Sequence, residues 1–428
     1  MQTDSYGNTL TTSSAEAIEA YNEGLHLHLS GNYGAPEAFE RATTADPGFA
    51  AGHIARARAL MTPAQMAEAR AALAQAQSLT RGITDREAAQ IAIMARLFSG
   101  DAVGTRHAVK AHVADHPRDA LIAQLCTNIF GLIGFSGKVG READLLAYTT
   151  MLMPHYRGDW WMMSMHALAL CETGQPQASL ELMEDALALN PRNAQASHFK
   201  AHAQYEMGQT GEGRTFLDRW MADYDPRSIL HGHLNWHLAL WALQDGDLPA
   251  MWGYVDDGVC PDGPTQSMPI NVLTDTAAIY HRAELAGHSV APGRWHSLSD
   301  YAALYFPNAG QSFADMHAAL AHAMAGEGER LARLAEATKG FAADMIPGLA
   351  SAWSAIARQD WQRAVRALTP IMATTERIGG SRAQRDLLEL TYANALMRMG
   401  QSAEAHRVLA TRRAIMLPNP PLADWGTP

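Results

Sequence analysis

Apolar residues recur three and four positions apart along most of this chain, the spacing that puts side chains on one face of an α-helix. In SLELMEDALALNP, residues 179–191, Leu180, Met183, Ala186 and Leu187 share a face while Glu181, Glu184 and Asp185 lie toward the other. These stretches are rich in Ala, Leu, Met and Gln and poor in β-branched runs, so helices are predicted throughout and no strand. Two segments break the period, CPDGPTQSMPIN at 260–271 and GHSVAPGRWHSLSDYAALYFPNAGQ at 287–311, and their prolines and glycines predict loops.

The breaks between helices are themselves periodic. Gly31-Asn32-Tyr33 is followed by Ala35, Phe39, Ala42 and Asp46-Pro47. Gly permits a tight turn, Ala lets two helices approach, Phe fills the space between them and Pro stops the second helix. The punctuation returns at Gly100-Asp101 with Pro117, at Gly174-Gln175 with Ala186 and Asn190-Pro191, and at Gly208-Gln209 with Asp225-Pro226. Gly174 and Gly208 stand 34 positions apart, the period of a tetratricopeptide repeat. Weaker copies follow at Gly246-Asp247, at Gln359-Asp360-Trp361 with Ala364 and Leu368, and at Gly400-Gln401 with Ala405 and Leu409. The expected architecture is all-α, a tetratricopeptide-like α-solenoid of antiparallel helix pairs running as one continuous body over 1–428. Its clearest repeats fall at about 15–60, 85–125 and 160–255, and 256–428 holds degenerate copies with long loops, which suggests a stack that closes on itself toward the C-terminal half.

Charge narrows the classes of partner. With 33 basic against 44 acidic residues the net charge is −11, which argues against binding nucleic acid or an anionic membrane through the overall field, though a local basic pocket stays open. The opening MQTDSYGNTLTTSSAEA has neither the basic nor the apolar region of a leader, and no apolar run is long enough to cross a bilayer, so a soluble cytoplasmic protein is expected. Cys126, Cys171 and Cys260 are widely spaced and read as buried small residues, and the 21 methionines as adaptable core filler.

Generic catalytic signatures are missing: no HExxH, no GxSxG, no dinucleotide fingerprint. GFSGKVG at 134–140 fails as a phosphate loop, because Gly131 to Gly137 is one position too long and Val139 replaces the hydroxyl residue. Histidine is the exception. His198, His202 and Glu206 are four apart on one predicted helix, and His233 and His237 repeat the spacing on the first helix of the next unit, with His231 nearby. These imidazoles suit a metal site made by His198, His202, His233 and His237, acid–base chemistry near neutrality, or interior hydrogen bonding. Gly379-Gly380-Ser381 predicts a helix start whose dipole favours an anion, with Arg382 and Arg385 on it; Arg382 to Asp386 also fits an i, i+4 salt bridge. Asp315 and His317 open another helix, and Asp275 and Arg282 lie two turns apart on a further one.

Taken in order, SSAEAIEAYNEGL, the His-x3-His with Glu-Met at 198–207, HLNWH, Asp-x6-Arg, Phe-x-Asp-x-His and GGSRAQRD resemble the tetratricopeptide repeat protein 38 family along nearly the whole chain, as a bacterial member. The resemblance implies an all-helical solenoid and a family pattern containing His202, His233, Trp236, His237, Asp275, Arg282, Asp315, His317, Arg382, Gln384, Arg385 and Asp386. Ser197-His198-Phe199 and His281 depart from it. So many titratable positions tilt the expectation toward a small-molecule enzyme or binding protein with a pocket inside the superhelix, acting by hydrolysis or elimination on an anionic or amide-bearing metabolite. His202, His233, His237, Asp275, Asp315 and His317 are its expected acid–base set, with the two aspartates orienting imidazoles; His198, Trp236, Arg282, Arg382, Gln384 and Arg385 are its expected substrate-binding set. No organic cofactor is expected, and a divalent metal is admitted. The alternative is a non-catalytic scaffold for a peptide or protein partner. A homodimer is compatible with apolar solenoid ends.

Overall fold

The computed structural model describes residues 2–79, 81–263, 267–336, 339–416 and 418–426. A short antiparallel pair, β1 (Gln2–Thr3) and β2 (Thr9–Leu10), precedes the helices. It departs from the strandless expectation because Asp4 builds a turn: its carboxylate accepts from the backbone N–H of Tyr6 and Asn8 at 2.9 and 2.8 Å. There follow α1 (Ala15–Ser30), α2 (Ala35–Ala45), α3 (Ala50–Ala59), α4 (Met66–Ser78), α5 (Asp85–Phe98), α6 (Ala102–Asp115), α7 (Ala120–Ala123), α8 (Arg141–Leu152), α9 (Trp160–Glu172), α10 (Pro176–Leu189) and α11 (Ala194–Glu206). The remainder is α12 (Thr210–Met221), α13 (His231–Gln244), α14 (Leu248–Tyr254), α15 (Pro269–Leu285), α16 (Pro292–Tyr305), α17 (Ser312–Met324), α18 (Gly328–Glu336), α19 (Ile346–Ala357), α20 (Trp361–Met372), α21 (Arg382–Arg398) and α22 (Ser402–Arg412). No helix among the described residues is long and apolar enough to cross a membrane.

The punctuation has a physical form. Gly31, Gly100, Gly174, Gly208, Gly246 and Gly400 all take φ between 70° and 84°, the left-handed region that a side chain disfavours. After Gly31, the Asn32 N–H donates to the Leu27 carbonyl at 2.9 Å, and the same bond to the residue five back recurs at Asp101, Gln209, Asp247 and Gln401. The residue after the left-handed position often starts the next helix: Asp101 and Asp247 after glycine, and Asp360 after Gln359, each accept from a backbone N–H three positions on.

The chain divides into two compact units. The first comprises Met1–Gly134, Ala143–Thr173 and Ala178–Phe199, the second Phe135–Glu142, Gly174–Gln177 and Lys200–Pro428. In the first, α1 packs on α2, α2 on α3 and α3 on α4. Gly24 makes room for Phe39, since a Cβ there would stand 2.7 Å from the ring. The buried Asp119 carboxylate gathers Arg86 at 3.0 Å, Gln90 at 2.8 Å and His112 at 2.8 Å. Burial pushes this carboxyl up, but His112 and Arg86 outweigh it and hold it below its ordinary range.

In the second unit the pairs α13/α14, α15/α16, α17/α18, α19/α20 and α21/α22 follow one another, and α15 packs against α13, α17 and α21 as well as its own partner. Its first helices are not amphipathic. Every residue of α13 from Gly232 to Leu243 is buried, and α15, α17 and α21 are buried over most of their length. Polar residues on these helices therefore face protein. The segment expected as a loop at 287–311 holds α16, and residues 269–271 of the other expected loop begin α15; 264–266 lie outside the described residues. Both helices carry proline in their first turn, where a missing N–H costs nothing and the fixed φ suits the helix. Gly287 and Gly326 close α15 and α17 with the same turn, the His288 and Glu327 N–H groups donating to Ala283 and His322.

One position breaks the turn rule. Gln359 stands where the other copies have glycine and takes φ of 57°, a conformation costing an L-residue about 1–2 kcal/mol. Gln359→Gly is expected to raise stability by about 0.5–1 kcal/mol. A higher urea midpoint at unchanged slope would register it.

Candidate functional site

The second unit draws together His202 from α11, His233, Trp236 and His237 from α13, and Asp275 from α15. His233 and His237 lie one turn apart on one face of α13, and the ring centroid of His202 stands 6.3 Å from the first and 4.6 Å from the second. The ring nitrogens that the three present to one another lie within 4.8 Å. His233 Nδ1 and Asp275 Oδ2 are 2.6 Å apart, and the Trp236 indole stacks on His233 at 5.2 Å and 15°. None of these side chains reaches solvent, with exposures of 0–3% for His202, His233, His237, Trp236 and Asp275. Burial, helped by His233, drives the His202 imidazole down to about 3, and burial with neighbouring His202, His233 and Arg282 drives His237 well below its ordinary value. Both shifts favour the uncharged ring. His198, one turn before His202 on α11, is buried beside Phe199 in the part of that helix belonging to the first unit.

A separate ionic network lies around Arg413. Its Nη1 is 2.8 Å from both carboxylate oxygens of Glu206, its Nε is 3.0 Å from Glu389, and it contacts Asp386. Arg382 reaches the same Glu206 at 3.1 Å, and the Tyr205 hydroxyl donates to Asp386 at 2.8 Å. Arg282 donates to that hydroxyl at 3.2 Å and to the Ala383 carbonyl at 2.7 Å. Where the sequence allowed an i, i+4 pair of Arg382 with Asp386, Arg382 reaches across to Glu206 and Asp386 to Arg413 and Tyr205; Asp275 holds His233 on α13, and Arg282 the start of α21. Burial would raise the Glu206 carboxyl, but Arg413 and Arg382 hold it down. Asp386 fares differently: burial, with Glu389 and Glu206 adding to it against Arg413, pushes it up to about 7.

A third group holds the start of α21 in place. Ser381 and Gln384 form a reciprocal cap, the Gln384 N–H donating to Ser381 Oγ at 3.1 Å and the Ser381 N–H to Gln384 Oε1 at 2.9 Å. Arg385 donates to the Gly380 carbonyl at 2.7 Å and pairs with Glu142. A Cβ on Gly379, whose φ is 102°, would stand 2.6 Å from the Phe135 ring. On α17, Asp315 accepts from the Gly310 N–H at 3.0 Å rather than orienting an imidazole, and His317 Nδ1 lies 2.7 Å from the Phe313 carbonyl. Burial lifts Asp315 to about 6 and lowers His317 to about 4.

Apart from His198, the predicted residues thus fall into three neighbourhoods. Glu389, Arg413, Tyr205 and Glu142 belong to them and went unread: Arg413 and Glu142 are recruited from distant stretches of chain, while Tyr205 and Glu389 sit beside the residues that were read but outside their spacing. Two surface concavities among the described residues are lined by other side chains: one of about 420 Å³ by Asp256, Cys260, Asp262, Tyr280, Arg294 and Ser297, the other by Glu212, Thr215, Phe216 and Arg219 of α12. In the first, Arg294 pairs with Asp256 at 2.6 Å and lies over the Trp252 ring at 4.5 Å.

Residues 170–232 match the family model described as tetratricopeptide repeat. Among solved structures, the human IFIT1 dimer with m7Gppp-AAAA is 13% identical, with 95% of this chain and 91% of that chain covered and a TM-score of 0.44. The TPR domain of P58(IPK) is 12% identical, with coverage of 93% and 89% and a TM-score of 0.25. At such scores neither likeness adds to what the helix pairs themselves say. The protein is an all-α helical repeat protein of the tetratricopeptide type.

Arg413→Met leaves Glu206, Glu389 and Asp386 facing one another without their shared cation, and a loss of about 3–5 kcal/mol in denaturant unfolding is expected. Asp315 gives a pH signature. Its folded value lies above the unfolded one, so the native state holds the extra proton and stability falls as pH rises from about 4 to about 6. Asp315→Asn, which keeps an acceptor for Gly310, removes that decline; relative to wild type the variant gains on the order of 2 kcal/mol between pH 4 and pH 7 in the same measurement.

Proposed function

We propose that this chain is a non-catalytic tetratricopeptide scaffold binding a basic peptide segment of a protein partner, and that it is a bacterial member of the tetratricopeptide repeat protein 38 family. The observation that carries the scaffold reading is the engagement of the expected substrate-binding groups with the protein itself. Arg382 holds Glu206, Arg385 holds Glu142, Arg282 holds Tyr205 and the Ala383 carbonyl, and Gln384 caps α21. A guanidinium engaged in this way has to give up buried hydrogen bonds to receive a metabolite.

The repeat match at 170–232 supports the same reading, since paired helices offering a side-chain surface to an extended segment are an established mode of peptide recognition. The net charge of −11 supplies the preference for a basic segment and makes association sensitive to salt. Family membership rests on the ordered motifs from HLNWH to GGSRAQRD, whose residues lie on the buried first helices of the second unit.

Fluorescence anisotropy of the full chain against arrayed basic and acidic peptides tests the proposal, alongside thermal shift with a metabolite panel. Saturable binding of basic peptides that weakens with salt and persists in Arg282→Met is expected, with no metabolite effect. A metabolite that stabilises the wild type saturably but not Arg282→Met, with no peptide bound, overturns the scaffold reading.

A further inference from the structure

We propose that His202, His233 and His237 are the protein donors of a buried zinc site, with Asp275 holding His233 in the ligating orientation. The scaffold reading does not require this site, and the two stand or fall separately. The donors come from two helices, α11 and α13, and the His-x3-His spacing on α13 puts two imidazoles on one face, one turn apart. Zinc binds imidazole nitrogen at about 2.0–2.1 Å, so two nitrogens on a tetrahedral ion stand about 3.4 Å apart. Nitrogens already within 4.8 Å of one another reach that spacing by small ring rotations.

Asp275 is the second observation. A metal-bound imidazole characteristically gives its other nitrogen to a carboxylate, which sets the tautomer and makes the ring a better donor. His233 has that arrangement, Nδ1 on Asp275 Oδ2 at 2.6 Å, which makes Nε2 the nitrogen it would turn to an ion. The carboxylate is 2% exposed, and its Oδ1 has no hydrogen-bond partner among the described residues. A buried anion whose described ion pair is with a single imidazole needs positive charge nearby. A divalent ion on the far side of that ring provides it.

The surroundings suit a site shielded from bulk water. Trp236 flanks His233 and His237 at 5.2 and 5.0 Å, and Trp241 lies 6.2 Å from His237, so the rings are walled by indole. An all-imidazole donor set without thiolate belongs to the zinc, cobalt, nickel and copper class, and on a tetrahedral zinc ion the three imidazoles would fill three of the four positions. The ion would fasten α11 to α13 at the beginning of the second unit.

The test uses the full chain, produced in zinc-replete medium and purified without metal-affinity resin. Elemental analysis is expected to find about one zinc per chain. Chelator-stripped wild type should then take up Co2+ with the intense visible absorption of a tetrahedral site. His202→Gln and His237→Gln, each checked for folding by near-ultraviolet circular dichroism, should lose the zinc and the absorption. Asp275→Asn should keep the fold and weaken metal affinity on the order of 10–100-fold. Wild type that holds no stoichiometric zinc and gives no Co2+ absorption overturns the site. Folded His→Gln variants that retain zinc equally overturn it.

Discussion

Charge taken out of water, and the obligation to pair it, organises the second unit. Asp275, Arg282, Asp386, Arg385 and Arg413 are each 7% exposed or less, and a lone ion at such a depth would cost several kcal/mol. The fold meets the obligation by bringing the end of α11, the middle of α15, the start of α21 and the chain beyond α22 to the same places. Glu206 serves two guanidinium groups, and Arg413 serves three carboxylates. Networks of this kind add little net stability over a well-packed apolar core, but they are unforgiving of wrong partners and so favour one arrangement of helices over its competitors.

The frame on which these charges sit is ordinary by comparison. Within these helix pairs a left-handed residue ends the first helix, and at Asp101, Asp247 and Asp360 the next side chain caps the second, so that Gly-Asp both ends one helix and starts the next. Where the glycine is lost, at Gln359, the left-handed geometry persists. The pair packing around it therefore outweighs the local preference, which is the usual rank of the two effects.

The same hierarchy explains why the later repeats read as degenerate. A surface helix must be amphipathic, and the period of its apolar residues betrays it. A helix packed on several sides needs no such stripe, as α13 shows, and its polar residues follow the demands of neighbouring helices instead. Residues 287–311 misled for a related reason: Gly287 and Pro292 suggested a loop, yet they are the closing turn of α15 and the opening turn of α16. Punctuation that ends one helix and begins another within five residues is easily taken for the absence of both.

Local chemistry was enough to read the helix pairs, their turn residues, the helix start at Ser381 and the histidine stripes, because each depends on residues within a few positions of one another. The grouping of the titratable residues was not readable that way. That Asp275 holds His233, that Arg382 prefers Glu206 to the nearby Asp386, and that Arg413 joins the same network depend on contacts spanning 42, 176 and 207 positions of sequence. Such pairings carry no period and no motif. They follow from which buried charge lies within reach of which, and that is decided only when the helices have packed and water has been excluded.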